Sequence, residues 1–240
     1  MNTIAVIPAR FNSTRFPGKP LSLINGQPMF YWVYQAALTC VQIDKVFLAT
    51  DDDRILDSAI EHGCNVVMTR EDCPSGSDRV YAVAKGQQLD SSDIVVNVQG
   101  DEPLVQAYHI DSLIDHLKAN PRSRIATLAI SITYQQALDV NVVKVVKNHH
   151  NQAMYFSRCP IPHNSNRYLK HIGIYVYRME TLSLLCALPP ADIERTEQLE
   201  QLRALDHGIS IDIVMTDHDT ISVDTPNDIV LVEAYLAHHT

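Results

Sequence analysis

Four apolar runs of strand length constrain this chain most: "TIAVIPA" from residue 3, "DKVFLATDD" from 44, "NVVMT" from 65 and "SDIVVNVQGDEP" from 92. Each is apolar on both sides of a period-two strand, as in a parallel sheet covered on both faces. The segments after the first three have helical patterning. "PMFYWVYQAALT" carries Met29, Val33, Ala36 and Ala37 at helical spacing, with Pro28 in a tolerated first-turn position. "DRILDSAIEHG" is stopped by Gly63, and "SDRVYAVAKGQQL" completes the third pair. Three β-then-α units predict an α/β fold with right-handed crossovers and helices on both faces of a mostly parallel sheet.

Beyond residue 120 the pattern changes. "RIATLAISI", "NVVKVVKN", "AMYFSR" and "YLKHIGIYVYR" are strand-like and follow one another with few helical signals between them. They predict antiparallel additions or a hairpin lobe over about residues 121–180. Helices resume at "METLSLLCAL" and "IERTEQLEQLRALDHG", and a strand "SIDIVMT" and a helix after "VDTPND" close the chain. Without repeats or low-complexity linkers, residues 1–240 read as one domain with an inserted lobe.

The formal net charge of −9 lacks the basic face that non-specific nucleic-acid binding requires. Five cysteines without C-x-x-C spacing indicate neither zinc nor a disulfide framework, and read as buried reduced thiols. With no basic leader and no long apolar window, a cytoplasmic protein without membrane partners is expected.

Against this acidic background, "PARFNSTRFPGKP" at 8–20 gathers Arg10, Arg15 and Lys19 after the first strand. The carboxyl end of a parallel strand is where open α/β sheets bind ligands. Gly18 permits close backbone approach, the arginines offer planar forks for phosphate oxygens, and Lys19 adds a compact charge. The segment is neither a P-loop nor a dinucleotide fingerprint, and it reads as a triphosphate cradle or as a solvated basic turn. In "NVQGDEP", Asp101 follows a turning Gly at another strand end and is a natural magnesium ligand. In "SVDTPND", Asp224 is either an N-cap, with Pro226 first in the helix, or the second metal carboxylate.

Taken in order, "VIPARFNSTRFPGKPL", "ATDD", "MTREDCPSGSDRV", "NVQGDEP", "MYFSRCPIP", "RYLKHIGIYVYR", "TEQLEQLR" and "VDTP" resemble the CMP-sugar-acid synthetases, in particular the 3-deoxy-manno-octulosonate cytidylyltransferase branch. The resemblance implies a Rossmann-like nucleotidyltransferase fold with an antiparallel dimerisation and sugar-binding lobe, and a homodimer. It implies a Mg2+-dependent reaction of CTP with a 3-deoxy-octulosonic acid, Kdo or its 8-amino analogue. The products would be a CMP-sugar for lipopolysaccharide assembly and pyrophosphate. Attack by the anomeric hydroxyl on the α-phosphorus needs positioning and charge neutralisation rather than a covalent nucleophile.

Carried over by motif, Arg10, Arg15 and Lys19 would hold the triphosphate, with Lys19 nearest the reacting phosphate. Asp101 and Asp224 would hold magnesium. Ser75, Asp78 and Arg79 fall on the cytidine side, and Gln99 between ribose and sugar. For the sugar acid, Arg158 is the carboxylate clamp, while His171 and Tyr175 share one strand face. Glu197, Glu200 and Gln201, expected on one helix, would hydrogen-bond the polyol. Tyr175 equally fits a core position, Glu200 a solvated helix charge, and His149 and His150 a surface without a role.

Overall fold

The computed structural model describes residues 1–12 and 16–239, so Arg15 lies outside the described residues. The chain begins with β1 (Thr3–Ala9), a single 3-10 turn at Lys19–Leu21, and the hairpin of β2 (Leu23–Ile24) and β3 (Gln27–Pro28). Next come α1 (Met29–Leu38), β4 (Lys45–Thr50), α2 (Asp53–Glu61), β5 (Val66–Met68), α3 (Gly76–Lys85), β6 (Ile94–Val98) and α4 (Ala107–Ala119). The second half holds β7 (Ile125–Ile132), α5 (Tyr134–Ala137), β8 (Lys144–Lys147), β9 (Ala153–Ser157) and β10 (Tyr168–Arg178). It ends with α6 (Met179–Ala187), α7 (Asp192–Glu197), α8 (Leu202–Asp206), β11 (Asp212–Met215) and α9 (Pro226–His239).

The central sheet runs in the order β11-β7-β10-β6-β1-β4-β5. β1 lies parallel to β4 and β6, β4 to β5, and β7 to β11. β10 runs against both of its neighbours in this order, inserted between β6 and β7. One sheet edge therefore collects the carboxyl ends of β1, β4, β6, β7 and β11 together with the amino end of β10. β8 and β9 pair with each other, and β8 joins the sheet through β10.

The expected mixed α/β architecture is present, and the period-two logic holds in detail. Ala5, Ile7 and Ala9 of β1 pack with α1, α2 and α4 on one face. Ile4 and Val6 face the opposite layer of α3, α6 and α8. At about 25 cal/mol per Å2 of apolar surface removed from water, such double coverage is the main stabilising contribution to the fold.

Two elements differ from expectation. α4 follows β6 although no helix was expected there; its Ile110, Leu113, Ile114 and Leu117 recur at helical spacing and are all buried. The helix expected over 193–208 is two short ones, because Gln198 adopts a left-handed conformation (φ 57°) and caps α7. Glu197 thus ends α7 and Glu200 lies before α8, rather than both lying on one helix.

Candidate active site

The basic loop and the two aspartates meet at the collecting edge. Gly18, at φ 73°, turns the chain so that Lys19 points back to the sheet, and its amide bonds the Phe11 carbonyl at 2.9 Å. Gly100 lets the β6 loop press onto β1: a Cβ there would stand 2.8 Å from the Pro8 carbonyl oxygen. Lys19 Nζ donates to Asp101 Oδ2 at 2.6 Å and to the Val223 carbonyl at 2.8 Å, and lies 3.9 Å from Asp224 Oδ1. The Val223 amide donates to the Asp101 carbonyl at 2.9 Å, tying the segment before α9 to the end of β6.

Capping of α9 falls to Asp228, whose Oδ2 accepts from the amides of Asp224 (2.9 Å) and Thr225 (2.7 Å). That arrangement turns the Asp224 carboxylate toward Lys19.

Two cavities open at this edge. The smaller, about 180 Å3, is lined by Arg10, Lys19, Ser75, Arg79, Asp101 and Asp224 among others. The larger, about 650 Å3, is lined on one side by Arg158, His171 and Tyr175 and on another by Glu200 and Gln201. Gln99, Asp101, Glu200 and Asp224 border both. Gly173, at an irregular register in β10, leaves room for Gln99, whose Cγ would be 3.3 Å from a Cβ at that position.

Several expected ligand-binding side chains are engaged within the protein. Arg79 is 4% exposed, ion-paired to Asp51 at 2.5 Å and bonded to Thr69, so it fastens α3 to the ends of β4 and β5. Ser75 caps α3 by accepting from the Asp78 amide at 3.1 Å and donating to the Asp78 carboxylate at 2.6 Å. Asp78 lines neither cavity.

Glu200 accepts from the amides of Gly76 (3.0 Å) and Ser77 (3.2 Å) and from Ser77 Oγ, so it is no solvated helix charge. A carboxylate is stabilised at that helix N-terminus. Glu197 stands outside both cavities. It accepts from Ser157 Oγ at 2.8 Å and the Arg158 amide at 3.0 Å. The Arg158 guanidinium donates to the carbonyls of Glu197 (3.1 Å) and Val140 (3.2 Å) at the wall of the larger cavity.

His171 packs edge-on to Phe156 and beside Tyr175, both ring centroids 5.2 Å away. Its Nε2 lies 3.0 Å from Thr127 Oγ1, whose own hydrogen goes to the Ile174 carbonyl at 2.7 Å. That assigns the proton to Nε2 and leaves Nδ1 an acceptor. Burial, with the Lys170 charge alongside, pulls the imidazole pKa down to about 3. Tyr175 is 6% exposed and its hydroxyl pKa is raised by burial. It is thus a core residue with a face on the cavity.

Because the folded state keeps His171 neutral while an unfolded chain protonates it near pH 6.5, the unfolded state binds more protons between about pH 6.5 and 3. Stability is then lost as pH falls through that window, by up to about 1.4 kcal/mol per pH unit. Urea unfolding of His171→Gln between pH 6.5 and 4 is expected to show a shallower decline than the parent protein. Parallel declines would contradict the enclosed neutral ring.

Sequence reasoning overlooked Glu102, Lys170 and Lys144. Glu102 is 4% exposed and accepts from Ser222 Oγ; burial, then the neighbouring Asp101 charge, push its carboxyl pKa up. Lys170 Nζ donates to Asp219 (2.7 Å) and the Thr220 carbonyl (2.7 Å). All five cysteines are free, but Cys159 is exposed and Cys73 and Cys186 are half-buried, so only Cys40 and Cys64 match the expected buried thiols. Among the described residues no cluster of three or more acidic, His or Cys side chains could hold a metal by itself, and no helix is long and apolar enough to cross a membrane.

A cytidylyltransferase family model matches residues 4–211. A 3-deoxy-manno-octulosonate cytidylyltransferase from Thermodesulfovibrio yellowstonii is 44% identical, with 98% of each chain covered. The chain belongs to the 3-deoxy-manno-octulosonate cytidylyltransferase family. A second member, from Desulfatibacillum aliphaticivorans, is 42% identical over 98% of this chain and 99% of its own. The solved structure of CMP:2-keto-3-deoxy-manno-octonic acid synthetase complexed with CTP superposes over the full length of both chains, at a TM-score of 0.93 and 39% identity. A cytidylyltransferase from Leptospira borgpetersenii, 17% identical with a TM-score of 0.68, shares the fold.

Proposed function

We propose that this cytidylyltransferase couples CTP to a 3-deoxy-octulosonic acid, Kdo or its 8-amino analogue, releasing pyrophosphate. The reading rests on one observation above all: a small cavity with Arg10 and Lys19 meets a larger polar one with Arg158 at a shared border of Gln99, Asp101 and Asp224. In this reading the nucleotide takes the small cavity, the sugar acid the large one, and the new bond forms at the border.

The donor set suits magnesium. Asp101 and Asp224 already converge on one cation, the Lys19 ammonium, and two carboxylates with phosphate oxygens meet the usual needs of this ion. They would hold it, and when bound it neutralises phosphate charge and lowers the pKa of a coordinated hydroxyl. Arg10 and Lys19 bind the triphosphate, and Lys19 offsets charge building on the departing pyrophosphate. Arg158 offers its guanidinium to the sugar carboxylate, and neutral His171 offers Nδ1 as acceptor to a sugar hydroxyl. Glu200 holds α3 in place beside the nucleotide, and Gln99 spans the two substrates. A cytoplasmic homodimer supplying lipopolysaccharide assembly belongs to the same reading and rests on family membership alone.

Pyrophosphate release from CTP and Mg2+ with a panel of acids provides the test. Release is expected with Kdo or 8-amino-Kdo and not with nine-carbon nonulosonates. Absence of release with every acid would point to a non-catalytic nucleotide-binding relative, and preference for a nonulosonate would overturn the assigned sugar.

A further inference from the structure

Lys144 is fully buried, at 0% exposure, and among the described residues no carboxylate is salt-bridged to its ammonium. Lysines almost never occupy such positions unless every donor is matched. Here three backbone carbonyls match them: Asp139 at 2.9 Å, Val142 at 2.6 Å and Arg158 at 2.5 Å. Burial also draws the pKa of this ammonium down.

The three carbonyls come from two neighbouring segments that both line the larger cavity. Asp139 and Val142 belong to the segment between α5 and β8, whose side chains line it, and Arg158, which also lines it, follows β9. Both segments extend past the β8–β9 pairing, which ends at Lys144 and Ser157. The Arg158 amide is held from the other side by Glu197, and its guanidinium reaches across to the Val140 carbonyl. The backbone of residue 158 is thus fixed at its N–H by Glu197 and at its carbonyl by Lys144.

We propose that Lys144 is a positioning residue for the sugar acid, fastening the 139–142 segment to the backbone of Arg158 and so setting the aim of its guanidinium. The inference rests on the reading that Arg158 takes the sugar carboxylate. Among the described residues, the carbonyls that Lys144 bonds belong to none of the residues lining the smaller cavity, so its influence is expected to fall on the sugar acid rather than on CTP.

Lys144→Met keeps the length of the side chain and removes all three donors, whereas Lys144→Gln keeps two. The KM for Kdo is expected to rise about 10- to 100-fold in the Met variant and less in the Gln variant, as for other small misplacements of a binding group. The KM for CTP is expected to stay within about twofold of the parent value on the same physical grounds. In a double-mutant cycle, Lys144→Met added to Arg158→Ala should raise the KM for Kdo no further, because the group it aims is gone.

Equal changes in both KM values, or additive losses in the cycle, would overturn the proposal. So would failure of both Lys144 variants to fold, which would make the residue a general support of the lobe. If the parent protein itself released no pyrophosphate with Kdo, the functional reading would fall instead, a result visible before any variant is made.

Discussion

Asp224→Asn is expected to lower kcat about 1000-fold or more, and Asp101→Asn to do the same, while either variant unfolds close to the parent temperature. The amide preserves the shape of the carboxylate and removes its charge, so the loss reports on charge at the border of the two cavities. Lys19 sits 2.6 Å from Asp101 and 3.9 Å from Asp224 with its side chain 15% exposed. Removing either carboxylate leaves the ammonium with its other acidic neighbour and the Val223 carbonyl at 2.8 Å, so little stability is lost. Catalysis is expected to have no such reserve, because in the proposed site these two aspartates would be the carboxylates that hold magnesium, an ion usually bound through only one or two carboxylates with substrate phosphates. Pyrophosphate release at saturating CTP and graded Mg2+ measures the effect. A rate within tenfold of the parent for either variant would remove that residue from the metal site.

The strands of the first half were legible because a parallel sheet covered on both faces writes its strands as unbroken apolar runs. The loops after "TIAVIPA" and at the end of "SDIVVNVQGDEP" were legible as candidate ligand loops because the sheet edge is a topological consequence of those runs. What was not legible were the elements defined by long-range partners. α4 carries acidic, basic and histidine side chains between its core positions, and its apolar stripe shows only when the four buried residues are taken together.

The break at Gln198 is followed by Glu200, which bonds the N-terminus of α3, more than 120 residues away in sequence. Lys144 sits amid valines in "NVVKVVKN", a pattern that places a lysine on the solvent side of a strand, and only the three-carbonyl nest explains its inward turn. The same limit applies within the site. Ser75, Asp78, Arg79, Glu197 and Glu200 were picked out by motif as contacts to substrate; Ser75 and Asp78 also bond each other at the start of α3, and Arg79, Glu197 and Glu200 bond groups distant in sequence, while Ser75, Arg79 and Glu200 line a cavity as well. Motifs mark residues that a site requires, and geometry separates those facing the ligand from those holding its walls.

Arg158→Ala is expected to raise the KM for the sugar acid about 100-fold, with the KM for CTP unchanged within twofold, since loss of one partner of a charge-assisted pair commonly costs 2–5 kcal/mol. The substitution spares the local architecture, because the strongest anchors of residue 158 are its backbone groups: the amide on Glu197 and the carbonyl on Lys144. Only the guanidinium contacts to the carbonyls of Glu197 and Val140 disappear.

Arg158→Lys adds a second level of resolution, as it retains the charge without the planar fork that matches a carboxylate. A bidentate contact requires the Lys variant to resemble the Ala variant more than the parent, whereas a purely electrostatic attraction requires near-complete rescue. Steady-state kinetics with each substrate varied in turn separates these outcomes. A similar rise in both KM values, or a fall in kcat with both KM values unchanged, would place Arg158 outside the carboxylate contact and shift the search for that cation to Lys170, which also lines the larger cavity with its ammonium 2.7 Å from Asp219.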